Sequence, residues 1–578
     1  MADEATKDTD TLLKEMSHWT GIAGEMQQLM MEHGASVLLK MGDDTAAGLA
    51  TTPLPSTDQM LAAQKAWWQE TAATWRKMMP LSPESAAAAT GDRRFAGVEW
   101  REPIFDMIRQ TYTAIADQLL AGIARVEGLD PKQKEQLLFL TRNFVEAMSP
   151  SNFALTNPQV FDKIIETGGR NLVVGLERIL ADVGRGQISH TAADAFEIGR
   201  NIATTPGKVV KETALYQLIH YAPTTPNVKA TPLLIFPPWI NRFYILDLRP
   251  EKSFVRWALD QGLSVFMVSW KSADASMAGT LMDDYILAGE HDAIDTVRDL
   301  LNVPSVHVIG YCVAGTAMAM LLAWLAARGE GEKVASATFF TAQVDFSQAG
   351  DLSLFVDDAQ IGLINSFATD GFLDGRYLAA TFNLLRGRDL IWNYVVNNYL
   401  LANDYAPFDL LHWNSDVTNL PAEWHRRYLS DLYRDNLLVK AGGLSVAEVP
   451  IDLSQVRTPS YVQAGREDHI APPESVWKLT HHFAGPLRFV LAGSGHIAGV
   501  VNPPAANKYG YWTNDAKVPT LAEFVAGATE HKGSWWPDWI SWIDTLSGDD
   551  VAADGARIPG QGKLPAIEDA PGRYVRTR

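Results

Sequence analysis

Cysteine is nearly missing from this chain: 578 residues contain one, Cys312. A single thiol excludes an intramolecular disulfide and any multi-cysteine zinc site, and it fits a reducing, cytoplasmic compartment. Positive charge is also scarce. Lys and Arg total 49 against 68 Asp and Glu, a formal net charge of −19, which argues against nucleic acid as a partner. An anionic substrate would need a local basic patch. Long apolar runs are absent as well. "AMAMLLAWLAA", from Ala317 to Ala327, is too short for a bilayer crossing of about 20 residues, so no transmembrane segment is expected. The opening "MADEATKDTD" has no basic or apolar stretch, and no secretory signal is expected. No metal and no cofactor is expected.

Tryptophan, by contrast, is abundant, with 18 residues. Large cores account for this in the ordinary case, and an amphipathic surface or an aromatic-lined channel in the sharper one. The first 200 residues or so read as helical. "PIFDMIRQTYTAIADQLLAGI" sets Ile104, Phe105, Ile108, Tyr112, Ile115 and Leu119 on one helical face. Asp58 to Met79 carries Trp67, Trp68 and Trp75 in a similar stripe between prolines. The expected organisation is a variable, partly mobile helical region over 1–90 and a helical domain over 91–205. A catalytic domain over 206–578 follows, with a cap insertion at about 345–450.

After residue 205 the pattern changes. "TPLLIF", "LSVFMVSW", "SVHVIG" and "KVASATFFTAQVDF" are short apolar runs separated by helix-like segments, and "TPSYVQAG" and "LRFVLAGSG" continue the series after the cap. Strands alternating with helices predict a mostly parallel sheet covered on both faces. Ligands in such sheets bind beyond the carboxyl ends of the strands.

Cys312 stands at one such end, in "VIGYCVAGT". The segment matches the G-x-S-x-G nucleophile elbow of α/β-hydrolases, with cysteine for serine and Ala314 for the last glycine. A buried structural cysteine is the plain alternative. A nucleophile of this kind takes an acid and then a histidine from later strand ends. "YVQAGREDHIAP" offers Glu467 and Asp468, and "FVLAGSGHIAGV" offers His496. Of 13 histidines, His469 and His496 sit at these ends. His469 adjoins the candidate acid, so His496 is the better base. The oxyanion hole would take the N–H of Val313 and a second from "FPPWINRFYILDL". Pro237 and Pro238 have no N–H to give, leaving Trp239 or Ile240, of which Ile240 is favoured. Arg242, Lys252 and Arg466 are cations near these loops, with solvation their ordinary role.

"GYCVAGT", "FPPWINRFYILDL", "GREDHIAP" and "SGHIAGVVNPP" resemble the signature segments of polyhydroxyalkanoate synthases. "MSPSNFALTNP", "GRNIATTPGKVV", "LIWNYVVNNYL", "FDLLHWNSDVTNLP" and "PGRYV" fit the same family, from about Arg94 onward. The length resembles class I, the homodimeric type. The resemblance implies an α/β-hydrolase core and a catalytic Cys312, Asp468 and His496. It also implies acyltransfer from (3R)-3-hydroxyacyl-CoA to a growing polyester with release of CoA. Asp468 would orient His496 or activate the substrate hydroxyl. A homodimer at the surface of cytoplasmic polyester granules, with phasins as possible neighbours, is implied too. This chain departs from the family pattern at Ala314, at Trp239 (often cysteine) and at Pro473 (often tryptophan), which bears on substrate range. A cysteine esterase or polyester depolymerase, and a non-catalytic granule scaffold, are the rival readings.

Overall fold

The strands of the catalytic half are apolar at successive positions because both of their faces are covered. Leu234 and Phe236 join one buried cluster and Leu233 and Ile235 the other. Phe266 and Val268 likewise oppose Val265 and Met267. Side chains on a strand alternate between faces, so a sheet clothed on both sides needs apolar residues throughout.

A computed structural model describes residues 92–126 and 128–577. The Trp67, Trp68 and Trp75 stripe lies outside the described residues. The described residues part into two compact units, one holding 92–192 and 380–406, the other 193–379 and 407–577.

The first unit is helical. Its main helices are α1 (Pro103–Ala124), α2 (Pro131–Ala147), α3 (Pro158–Thr167) and α4 (Arg170–Arg185). α2 opens with a capping box: the Asp130 side chain accepts from the Gln133 N–H, and Gln133 reaches back to the Asp130 N–H. α1 covers the expected segment, and its apolar stripe is half covered: the Phe105 ring meets Trp100 and the Tyr112 ring meets Phe95. Ile104, Ile115 and Leu119 are exposed, while Arg109 and Ala116 are buried. Residues 380–406, expected within the cap, pack here instead. The reason is local: a side chain on Gly175 of α4 would overlap the Tyr399 backbone. The Tyr399 hydroxyl donates to Asp182, and Asn171 donates to the Leu400 carbonyl at 2.7 Å.

The second unit holds an eleven-stranded sheet. In chain order its strands are β1 (Gly207–Glu212), β2 (Tyr216–Tyr221), β3 (Leu233–Phe236), β4 (Val265–Trp270), β5 (Val306–Tyr311) and β6 (Val334–Phe340). They continue with β7 (Ser460–Gly465), β8 (Leu487–Ala492), β9 (Gly510–Thr513), β10 (Thr529–Lys532) and β11 (Glu568–Asp569). The order across the sheet is β10-β9-β8-β7-β6-β5-β3-β4-β2-β1-β11. The centre, β8 to β4, is parallel. Antiparallel strands flank it on both sides. The parallel strands all present their carboxyl ends along one edge, and there the candidate residues gather.

Among the described residues no helix is long and apolar enough to cross a membrane, and no cluster of His, Cys, Asp and Glu is suited to hold a metal ion.

Candidate active site

β5 runs into helix α5 (Val313–Ala327) with Cys312 alone between them. Cys312 has φ 55° and ψ −125°, a conformation that costs a non-glycine residue about 1–3 kcal/mol and persists only where its surroundings impose it. Those surroundings are small residues. A Cβ on Gly310 would lie 2.6 Å from the Gly315 Cα, and one on Gly315 would collide with Ala342. Strand and helix therefore close up on two glycines. Ala314 is fully buried yet keeps its methyl group. The Cys312 N–H is tied to the Phe340 carbonyl at 2.9 Å, which fixes the turn to the neighbouring β6.

The acid follows β7. Asp468 is buried, and its Oδ1 accepts the N–H groups of Ile470 and Ala471 at 2.8 and 2.9 Å. Its Oδ2 lies 2.7 Å from His496 Nδ1. Glu467, the other candidate acid, is exposed. The histidine follows β8 on a loop joined to the acid's loop by backbone hydrogen bonds: Glu467 N–H to the Ser494 carbonyl at 3.0 Å, and Arg466 N–H to the Ala492 carbonyl at 2.8 Å. The Tyr311 hydroxyl, one residue before the cysteine, donates to the His496 carbonyl at 2.9 Å. The indoles of Trp535 and Trp536 hold the same loop through the carbonyls of Gly499 and Val500.

Burial would drive the His496 pKa down. The Asp468 carboxylate on one side and the Cys312 sulfur on the other outweigh it, and raise the imidazole to about 10. His220, His307 and His425, buried without such neighbours, are instead pushed down to about 3, 4 and 4. His496 thus stands between an anchored carboxylate and a thiol, the arrangement that moves a proton off sulfur.

Residues 91–258 match the family model described as "Poly-beta-hydroxybutyrate polymerase (PhaC) N-terminus", and 245–503 match that of the alpha/beta hydrolase fold. The chain is 42% identical to the poly(3-hydroxyalkanoate) polymerase subunit PhaC of Cupriavidus necator, over 99% of this chain and 95% of that one. It is 45% identical to the subunit of the same name from Rhizobium meliloti, over 84% and 80%. The poly(3-hydroxyalkanoate) polymerase of Methylorubrum extorquens is 42% identical over 94% and 91%. The chain belongs to the poly(3-hydroxyalkanoate) polymerase family.

In this family member the thiol is also bordered by residues that sequence reasoning did not single out. Tyr428 and Tyr433 feel the charge of Cys312: burial first, and the sulfur with it, push both phenols well above the usual range, Tyr433 adding to the rise at Tyr428 while Tyr428 opposes it at Tyr433. Gln343 Nε2 donates to the Tyr433 hydroxyl at 3.3 Å, and Trp424 stacks on Tyr428 with centroids 4.9 Å apart. The signal was present as the aromatic spacing of "EWHRRYLSDLYR", but nothing local says which face meets a cysteine more than a hundred positions earlier.

The expected oxyanion donors lie on neighbouring strand ends. Val313 is the first residue of α5, where an N–H has no intrahelical acceptor. Ile240 follows β3, which pairs with β5 through Phe236 and Gly310. Trp239 is buried beside it. The cations fare differently. Arg242 is not solvated: it is 2% exposed, donates to the carbonyls of Tyr574 and Thr577 at 3.2 and 2.8 Å, and pairs with Asp416 at 3.5 Å. Its loop turns inward after β3, which the sequence does not reveal. Lys252 pairs with Asp409 at 2.7 Å, and Arg466 lies over the Trp512 ring at 4.7 Å.

Proposed function

We propose that this chain polymerises (3R)-3-hydroxyacyl-CoA into polyester with release of CoA, through an acyl group carried on Cys312. His496, raised to about 10 by its two neighbours, holds the proton drawn from Cys312 and leaves the sulfur as thiolate. The thiolate attacks the thioester carbonyl, the carbon–sulfur bond to CoA breaks, and CoA leaves with a proton from His496. The 3-hydroxyl of another unit then attacks a cysteine-bound acyl group, its proton passing to His496. An ester forms and Cys312 is released. The N–H groups of Val313 and Ile240 receive the carbonyl oxygen's developing charge.

The observation that carries this reading is His496 held between the carboxylate of Asp468 and the thiol at a strained strand-to-helix turn. Cysteine suits the reaction. Exchange of one thioester for another is nearly isoenergetic and leaves an activated acyl donor, whereas a serine ester would be no more activated than the product. Water is the competing acceptor, and the aromatic wall of Tyr428, Tyr433 and Trp424 opposes its entry. Asp468 acts by orienting His496. Both of its oxygens are engaged, and an incoming hydroxyl would have to displace one of those bonds.

Purified enzyme with 3-hydroxybutyryl-CoA should release CoA and form polymer, and Cys312→Ala should do neither. Release of free 3-hydroxy acid without polymer would instead mark a hydrolase. No CoA release from wild type would favour a scaffold.

The chain works as a homodimer at the polyester granule surface, in the cytoplasm, with phasins as neighbours. Exposed apolar side chains on the helical unit, among them Leu140, Phe144, Phe161 and Ile165, support contact with an apolar surface. Deleting residues 1–90 should lower granule association more than CoA release, and unchanged localisation would overturn that assignment.

A further inference from the structure

The mechanism above gives no work to Gln343, a buried side chain in the loop after β6. Yet this residue joins three elements. Its backbone carbonyl accepts the Thr316 hydroxyl of α5 at 2.8 Å, and the Thr316 N–H goes to the Cys312 carbonyl at 3.2 Å. One residue earlier, the Ala342 methyl occupies the place where a side chain on Gly315 would go. The loop thus lies directly against the nucleophile turn. The Gln343 side-chain amide bonds to the Ser475 hydroxyl at 2.8 Å, in the short helix Pro473–Trp477 that follows the acid's loop. Its other end bonds to the Tyr433 hydroxyl at 3.3 Å.

Tyr433 belongs to the π-helical turn Tyr428–Arg434. Such a turn sets residues five apart on one face, and the rings of Tyr428 and Tyr433 meet there at 5.5 Å. The same loop grips this turn at further points. The Phe346 ring packs on Tyr433 at 4.8 Å, and Asn436 bonds to the Phe346 N–H at 2.9 Å and to Asp345 at 3.0 Å. The charges of both Cys312 and Asp468 reach the Tyr433 phenol. Gln343 is therefore the joint between the aromatic wall and the groups that do the chemistry. It is also the protein's own partner for a polar atom in that wall.

We propose that Gln343 is a positioning residue that keeps the acyl-cysteine dry: by satisfying the Tyr433 hydroxyl from within the protein, it lets the wall over Cys312 close without a water. A buried hydroxyl that loses its partner draws one in. Water in this wall is the acceptor that competes with the 3-hydroxyl. The proposal rests on Cys312 as the acyl carrier.

The test measures the ratio of free 3-hydroxybutyrate to polymer formed from 3-hydroxybutyryl-CoA. Gln343→Met keeps the volume and the backbone bond to Thr316, and Ser475 retains the Asp345 carbonyl. It strips the amide from Tyr433, and the share of free acid should rise roughly fivefold or more. Tyr433→Phe leaves the amide unpaired instead and should raise the share as well. The double variant has neither orphan, so its share should fall back to within about twofold of wild type. A merely structural role would lower CoA release and leave the ratio unchanged. Single variants with the wild-type ratio, or a double variant that makes as much free acid as Tyr433→Phe, would overturn the proposal. Should Gln343→Met fail to fold, Tyr433→Phe against the double variant still decides. Wild type that makes free acid and no polymer would sink the polymerase reading itself.

Discussion

A histidine surrounded by apolar side chains ordinarily gives up its proton, as His220, His307 and His425 do. His496 instead holds a proton, the one drawn from Cys312, up to about 10. A group whose pKa rises on folding stabilises the fold fully below its unfolded value, here 6.5, and loses that contribution as pH climbs through the folded value. Denaturant midpoints of wild type and His496→Gln should therefore differ most near pH 6, with wild type the more stable, and converge as pH approaches 10. A gap that widens toward pH 10 would contradict the pairing. Asp468→Asn addresses the same pair. An amide at that position favours the wrong imidazole tautomer, and the CoA burst should fall by roughly 10³-fold or more. Should the burst survive while elongation stops, Asp468 acts on the incoming hydroxyl.

At the level of elements, the turn between β5 and α5 depends on absent side chains. Gly315→Val would drive a branched group into Ala342 and the Gly310 backbone. Overpacking of this kind costs about 1–3 kcal/mol, and thermal unfolding should move down by several degrees. Ala314→Gly removes a methyl from a buried helix position instead. It should cost about 1 kcal/mol and leave the rate of CoA release within about twofold, since the close approach is made at 310 and 315. The family's glycine at 314 is thus not what the contact requires in this chain.

The same element shows what was legible and why. The central strands announce themselves because both faces are buried, and the three candidate residues announce themselves because each follows such a strand. The flanking strands carry a weaker signal: β2 is buried throughout, but Gln217 and His220 interrupt its apolar run. β10 has no buried residue, so no apolar pattern marks it. The α1 stripe gave the helix but not its cover, since apolar periodicity reports amphipathicity and not what packs on the face. Residues 380–406 join the helical unit through contacts with Gly175, Asn171 and Asp182, more than 200 positions away. Local pattern does not encode such a pairing.

For the whole molecule, the far end of the chain is a structural part of the catalytic unit. β11 completes the sheet edge beside β1, and Tyr574 and Thr577 supply carbonyls to Arg242. Removing residues 573–578 would leave a guanidinium buried without those acceptors. Loss of one partner of a buried charge typically costs about 3–5 kcal/mol, so this truncation should give insoluble or inactive protein. Arg242→Met in the full-length chain, which removes the charge along with its need for partners, should be milder. Equal solubility of wild type and truncated protein would refute the account.

Arg242 also orders events in time. It leaves the ribosome 335 residues before the carbonyl of Thr577 exists. Its guanidinium lacks those acceptors, and the loop carrying Trp239 and Ile240 lacks that anchor, until residues 574–577 have been made. In a nascent chain this loop can therefore settle only after Cys312, Asp468 and His496 have been synthesised.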